Sequence, residues 1–170
     1  MIFENEAEFE AACTKLVKSI ASQLNEKLRC AACAESLTGG LVASEIVRIP
    51  GSSCWFLEGC VTYTDRAKAE RLGVSPAILK EHTAVSRQTA KAMAEGMLIT
   101  SHADAAVSTT GLAGPGPDEL GRPAGLVFIG GATRNGSVTR ELHLCGTRLQ
   151  VRQQAAYEAL KLLDGLVKLI

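Results

Sequence analysis

The sequence is poor in aromatic residues, which fill 4 % of its 170 positions, and it carries no excess of charge and no cluster of basic residues. Each shortage removes a class of explanation. With few rings but 46 % hydrophobic residues, any interior must be built mainly from aliphatic side chains. No apolar stretch approaches the roughly 18 residues that suggest a membrane span. The 18 basic and 18 acidic residues cancel, so a nucleic acid feels no general attraction and would need a local patch of Lys and Arg that no run supplies. The start, Met1 to Glu6, is acidic and lacks the basic and apolar regions of a secretory signal, so the expected location is cytoplasmic.

Metal chemistry finds little support. His82, His102 and His143 are scattered without ligand spacing. Of the cysteines at 13, 30, 33, 54, 60 and 145, only Cys30 and Cys33 have the spacing of a redox or zinc pair, and no second pair follows. They fall in an expected strand, where residues three apart point to opposite faces. Free, mostly buried thiols are expected, and no metal.

What the sequence does have is alternation. Phe9, Ala12, Leu16, Ile20, Leu24 and Leu28 recur at helical intervals, which predicts an amphipathic helix over 6–28. Arg29 to Ala34 is an apolar run of strand length. Gly39 and Gly40 open a second helix with Leu41, Val42, Ile46 and Val47 inward, and Pro50 ends it. Gly59 to Thr64 reads as a strand, with Asp65 placed to cap the helix that carries Lys68. Ser75-Pro76 and Ser86 each start a helix. Asp104 to Thr110 is a third strand, running into a glycine- and proline-rich loop that continues to Pro123. Leu126 to Gly131 and Ser137 to Leu144 are two more strands joined by an Asn135-Gly136 turn. Val151 to Leu169 closes the chain as a helix. The pattern predicts one α/β domain over 1–170, a mixed sheet with helices on both faces.

Four features could carry chemistry. Ser36 leaves the first strand just before a glycine pair, and in α/β sheets ligands gather beyond the carboxyl ends of the strands. Thr38, Gly39 and Gly40 could present backbone N–H groups to an oxyanion or a phosphate; an ordinary helix cap is the plainer alternative. Lys68, past the second strand, could activate a hydroxyl if burial keeps it neutral, or be a solvated helix residue. The loop from Gly111 through Ala113 and Gly114 to Pro117 has the stiffness of a pocket wall, though it fits neither a P-loop nor a dinucleotide fingerprint. Arg148 and Arg152 stand near the start of the last helix, where the dipole disfavours cations. A bound anion or a salt bridge would account for them.

Taken in order, Ala34-Glu35-Ser36-x-Thr38-Gly39-Gly40, Pro50-Gly51-Ser52-Ser53-x-Trp55-Phe56, Tyr63-x4-Lys68, Leu72-Gly73-Val74, Gly111-x-Ala113-Gly114-Pro115 and Pro123-x-Gly125 resemble the CinA C-terminal domain family, which includes stand-alone nicotinamide-mononucleotide deamidases. The resemblance covers nearly the whole chain. It implies a three-layer α/β/α domain and a metal-independent amidohydrolase, without a cofactor, that converts nicotinamide mononucleotide to nicotinate mononucleotide and ammonia. Ser36 would be the nucleophile and Lys68 its general base. Tyr63 and the Gly111–Pro115 loop would line the pocket, with Thr38, Gly39, Gly40, Arg148 and Arg152 contacting the substrate. A homo-oligomer is also implied.

Some positions depart from the family pattern. Leu37 replaces a frequent Cys, a change expected to matter little. Asp65-Arg66 replaces Asn-Glu, and Arg66 would lower the pKa of Lys68 by repulsion. Arg122 replaces a common Lys, and the loop around Asp118-Glu119 differs. A non-catalytic nucleotide-binding or interaction protein linked to competence or DNA damage, and an amidase for another small amide, are the competing readings.

Overall fold

The computed structural model describes residues 2–170. Helix α1 (Glu6–Lys27) begins where the Asn5 side chain accepts the Glu8 N–H, and ends at Leu28, whose backbone is left-handed. It buries Phe9, Cys13, Val17, Ile20 and Leu24. The expected stripe is therefore displaced by one position in its first half: Ala12 and Leu16 sit at its margin, and Leu28 is exposed. Cys13 takes a core position as a small hydrophobe, which a pattern of aliphatic residues alone does not register.

Five strands follow: β1 (Ala31–Glu35), β2 (Phe56–Val61), β3 (Ala105–Gly111), β4 (Leu126–Thr133) and β5 (Gly136–His143). Their order across the sheet is β2-β1-β3-β4-β5. β1 is parallel to both β2 and β3, while β4 and β5 are antiparallel additions. β2 starts three residues earlier than expected, because Phe56 pairs with Ala31 and the chain leaves the sheet after Val61. The β4–β5 turn is Arg134-Asn135, one residue before the expected pair, with Gly136 opposite Thr133.

The remaining elements are α2 (Leu41–Val47), a single 3-10 turn (Ser52–Cys54), α3 (Asp65–Leu72), α4 (Pro76–His82), α5 (Arg87–Ser101) and α6 (Arg148–Val167). Val42 and Ile46 of α2 are buried, but Val47 is exposed. Ser75 and Ser86 cap α4 and α5 as expected. α6 starts three residues early because Thr147 and Gln150 form a reciprocal capping box.

Alternation along the strands divides the interior. Ala31 and Cys33 of β1, Val107 of β3 and Ile129 of β4 join a core with α1, α2 and α6. Ala32, Ala34 and Ala106 face the other way, with Leu72 of α3, Leu79 of α4, and Met93 and Met97 of α5. The result is three layers, α/β/α. Ile20, Leu24, Leu160 and Leu163 are fully buried in the first core, each contributing about 2 kcal/mol. Small residues set the spacing: a Cβ on Gly130 would lie 2.3 Å from the Ala90 carbonyl oxygen, so only glycine lets α5 lie this close to β4. All six cysteines are free, yet only Cys13 and Cys33 are buried; Cys54 and Cys145 are exposed, contrary to expectation. Among the described residues, no helix is long and apolar enough to cross a membrane.

Candidate active site

The three parallel strands end together. Glu35 lies level with Val61 on one side and Thr109 on the other, so the residues that follow converge at one edge of the sheet. The Ser36 N–H donates to the Thr109 carbonyl at 2.9 Å, which fixes the backbone of the serine. Its side chain is almost wholly buried, with the residue 8 % exposed.

Lys68 reaches the same point from α3. Thr64, not Asp65, caps this helix: its hydroxyl accepts the Ala67 N–H at 3.2 Å. Helical side chains lean toward the helix N-terminus, so a lysine in the first turn extends back over the strand ends. Its Nζ donates to Ser36 Oγ at 3.2 Å and to the Thr62 carbonyl at 2.9 Å. The residue has no solvent exposure. Burial lowers the Lys68 pKa from its ordinary value, with the Asp65 charge opposing. Arg66 does not supply the expected repulsion; it is exposed and pairs with Glu70 at 3.5 Å. Beside the lysine, Thr62 Oγ1 is buried and has no partner among the described residues.

The turn after Ser36 differs from expectation. Gly39 and Gly40 stand before α2 as expected, and both adopt positive φ. Their amides are already used: Gly39 N–H donates to the Ser36 carbonyl at 3.1 Å and Gly40 N–H to Glu35 Oε2 at 3.0 Å. Neither is free for an oxyanion or a phosphate. Among the described residues, the amides without a partner here are those of Leu37 and Thr38. The Thr38 hydroxyl shares a 2.7 Å hydrogen bond with that of Thr109.

A cleft of about 220 Å³ opens at Leu37, the residue after the serine, and is lined also by Tyr63, Arg148 and the Gly111–Asp118 loop; Ser36 and Lys68 are not part of its wall. Gly111, Ala113 and Gly114 all belong to this wall. Leu37 is 4 % exposed, joins the first core and lines the cleft. The charge of Asp118 is answered by Arg122, whose Nη2 lies 2.6 Å from Oδ2; the same arginine donates to Thr83 Oγ1 and to the Val85 carbonyl. The other two arginines do not form the salt bridges offered as one alternative. Arg148 donates to the Gly114 carbonyl and, at 3.1 Å, to the Tyr63 hydroxyl. Arg152 donates to the carbonyls of Leu37 and Thr38 at 3.2 and 2.7 Å. Both arginines hold backbone oxygens rather than carboxylates.

Sequence reasoning overlooked Glu35, Thr62 and Thr109. Glu35 left one signal, a lone acid at the end of a strand of small apolar residues. Threonines in strands are too ordinary to stand out.

Comparison with known proteins places this arrangement. The family model described as CinA C-terminal domain matches residues 13–167. A relative in Caldicellulosiruptor bescii, named as a competence-damage inducible protein, is 43 % identical over 140 residues, which is 82 % of this chain and 34 % of that protein. A similarly named protein of Clostridium novyi is 45 % identical over 130 residues, 76 % of this chain and 31 % of the other. The chain thus spans about a third of the length of these curated relatives. Among solved structures, the competence/damage inducible protein CihA from Agrobacterium tumefaciens superposes with a TM-score of 0.87 at 38 % identity, over 91 % of this chain and 95 % of the other. A competence or damage-inducible protein from Enterobacter asburiae gives 0.88 at 30 % identity, over 91 % and 98 %.

Proposed function

The chain belongs to the CinA C-terminal domain family, and from that premise we propose that it is an amidohydrolase of the Ser/Lys type acting on nicotinamide mononucleotide. The observation that carries this reading is the buried Lys68 amine 3.2 Å from Ser36 Oγ. A serine hydroxyl is a weak nucleophile until a base takes its proton. A lysine kept neutral by burial is such a base.

Neutral Lys68 accepts the Ser36 proton while Oγ attacks the carboxamide carbon. The oxyanion that develops is stabilised by the N–H groups of Leu37 and Thr38, the two amides after the nucleophile that have no other partner among the described residues. Lys68 returns its proton to the departing nitrogen, and ammonia leaves a Ser36 ester. Water, deprotonated by the same amine, then attacks the ester to release the carboxylate and restore Ser36. The peptide between Leu37 and Thr38 is held for this task by Arg152. In a trans peptide the C=O and N–H point in opposite directions, so the bond from Arg152 to the Leu37 carbonyl fixes where the Thr38 N–H is directed. Arg148 is the cation on the cleft wall whose partners are neutral, which suits it to the substrate phosphate.

The test is ammonia release from nicotinamide mononucleotide by the purified protein, with Ser36→Ala as control. No release by folded protein defeats the assignment. A second reading is a non-catalytic nucleotide-binding or interaction protein linked to competence or DNA-damage responses, of which the relatives' names carry only competence and damage. Binding of the nucleotide by the folded wild-type protein without turnover would select it.

A further inference from the structure

Glu35 has no part in the chemistry just described, yet it is 1 % exposed and stands beside the nucleophile. An isolated carboxylate in an interior is costly unless donors surround it. Here they do. Oε2 accepts the N–H groups of Gly40 and Val42 at 3.0 and 3.1 Å, and Oε1 accepts that of Ala43 at 2.9 Å. The Cys33 thiol lies 3.7 Å from Oε1 and also donates to it. The unpaired amides that open α2 are therefore filled by a side chain from the strand before it.

We propose that Glu35 is a positioning residue for Ser36: by gathering the start of α2 against the end of β1, it sets the loop that carries the serine and the Leu37 and Thr38 amides. This rests on the reading of Ser36 as a nucleophile. The chain leaves β1 at Glu35 and returns through Gly39 and Gly40, both at positive φ, so that residues 40, 42 and 43 face residue 35. The loop between is anchored at one end by the Ser36 N–H on Thr109 and along its back by Arg152 on Leu37 and Thr38. Glu35 closes the other end. A glycine in β2 makes the closure possible. Gly59 lies opposite Cys33 in β2, and a Cβ there would stand 2.8 Å from Ala43 Cβ and 3.3 Å from Cys33 Sγ. Only glycine lets α2 come near enough for the Ala43 amide to reach the carboxylate.

A carboxylate is required because all four contacts donate. Glutamine at this position has one oxygen and one NH2 group. Either way round, its NH2 meets donors: Gly40 and Val42, or Ala43 and Cys33. Glu35→Gln therefore preserves size while loosening half the clasp.

The readouts are the labelling rate of Ser36 by a fluorophosphonate probe, followed by intact mass, and kcat and KM for ammonia release from nicotinamide mononucleotide. Folded Glu35→Gln protein is expected to label about tenfold more slowly or worse, with a matching fall in kcat and KM within about threefold. Gly59→Ala, which leaves the carboxylate untouched, should shift both in the same direction by about threefold or more. Wild-type labelling and turnover in folded Glu35→Gln overturn the proposal, as does a change confined to KM. If that variant does not fold, Gly59→Ala decides. If neither folds, hydrogen exchange of the wild-type protein decides: protected amides at Gly40, Val42 and Ala43 support the clasp, and solvent-rapid exchange refutes it. Wild-type protein that labels at Ser36 but releases no ammonia removes the substrate assignment alone, because labelling rates still test Glu35. Wild-type protein that does neither removes both.

Discussion

The Lys68 amine touches Ser36 Oγ at 3.2 Å and the Thr62 carbonyl oxygen at 2.9 Å, on a residue with no solvent exposure. Asp65 acts on it only through its charge. An ammonium ion in this position has one hydroxyl and one carbonyl to offset its lost hydration, so burial favours the neutral amine. A histidine is not needed for the same purpose: the three in this chain lie elsewhere, His102 at the end of α5 and His143 beside Glu141.

Removing either member should abolish turnover. Ser36→Ala and Lys68→Met are each expected to lower kcat by about 10⁴-fold or more, and the double variant by little beyond the singles, because paired groups of this kind act as a unit. The measurement is ammonia release at saturating nucleotide, with circular dichroism to confirm folding. Independent, multiplying losses would show that the two residues do not share a step.

The pH profile should carry the mark of Lys68. The base works when neutral, so kcat/KM should rise with pH through the lowered pKa, on the acid side of the free-lysine value of 10.5. Asp65→Asn removes the charge that opposes the shift, so the rising limb should move to lower pH. Stability follows the same group. Between the lowered folded pKa and 10.5 the unfolded chain holds more protons on this lysine than the folded one, so its contribution to stability increases with pH across that window. Lys68→Met should lose that slope in denaturant titrations run across the window. A limb that moves to higher pH in Asp65→Asn would contradict the assignment.

Much of this arrangement was legible in the sequence, because strands, caps and glycine turns leave local marks. Ser75, Ser86 and the Gly39-Gly40 turn stand where their chemistry indicated. What could not be read was whether a polar group would be used up by a distant one. The amides of Gly39 and Gly40 look free in a sequence; the first is taken by the Ser36 carbonyl in a tight turn and the second by the Glu35 side chain. Arg148 and Arg152 look like anion ligands or salt-bridge partners, and their carbonyl partners belong to loops 34 and about 115 residues away. Lys68 resembles any helix lysine until the sheet edge encloses it.

The two arginines should separate kinetically. Arg148→Ala frees the Tyr63 hydroxyl and the Gly114 carbonyl at the cleft mouth, which are partly in contact with water, and removes the charge offered to the phosphate. A KM increase of about tenfold or more with little change in kcat is expected, and it should shrink with added salt. Arg152→Ala instead releases the Leu37 and Thr38 carbonyls beneath the reacting centre. Its loss should fall on kcat. Steady-state kinetics of both variants test the division, and a KM effect in Arg152→Ala alone would reverse it.

The contact between α1 and α6 predicts an acid-sensitive joint. Asp164 is buried, which opposes its ionisation, yet Lys168, Ser19 and Gln23 hold its pKa below the ordinary 3.8. A carboxylate lowered in this way stabilises the fold above its unfolded pKa and loses that contribution as pH falls through the folded one. Asp164→Asn should cost about 1–3 kcal/mol at neutral pH and flatten the loss of stability on acidification below 3.8, as measured by urea titration.

Gly96 connects the second helical layer to the catalytic lysine. A Cβ on this residue of α5 would sit 1.9 Å from the carbonyl oxygen of Leu72, the last residue of α3. Backbone cannot yield as the end of a long side chain does, so Gly96→Ala must push α3 outward. Overfilled cores lose about 1–3 kcal/mol, and thermal unfolding should show it. The same displacement acts on Lys68, one turn into α3, through a helix only eight residues long. Turnover by the folded fraction should therefore drop along with stability. In contrast, Gly121→Ala replaces a glycine with open space around it but positive φ, and should cost stability of about 1 kcal/mol without altering kcat. If Gly96→Ala destabilises the protein as much as expected and leaves kcat per folded molecule intact, then α3 does not depend on that crossing to place Lys68, and the Ser36–Lys68 distance must be set from the sheet side alone.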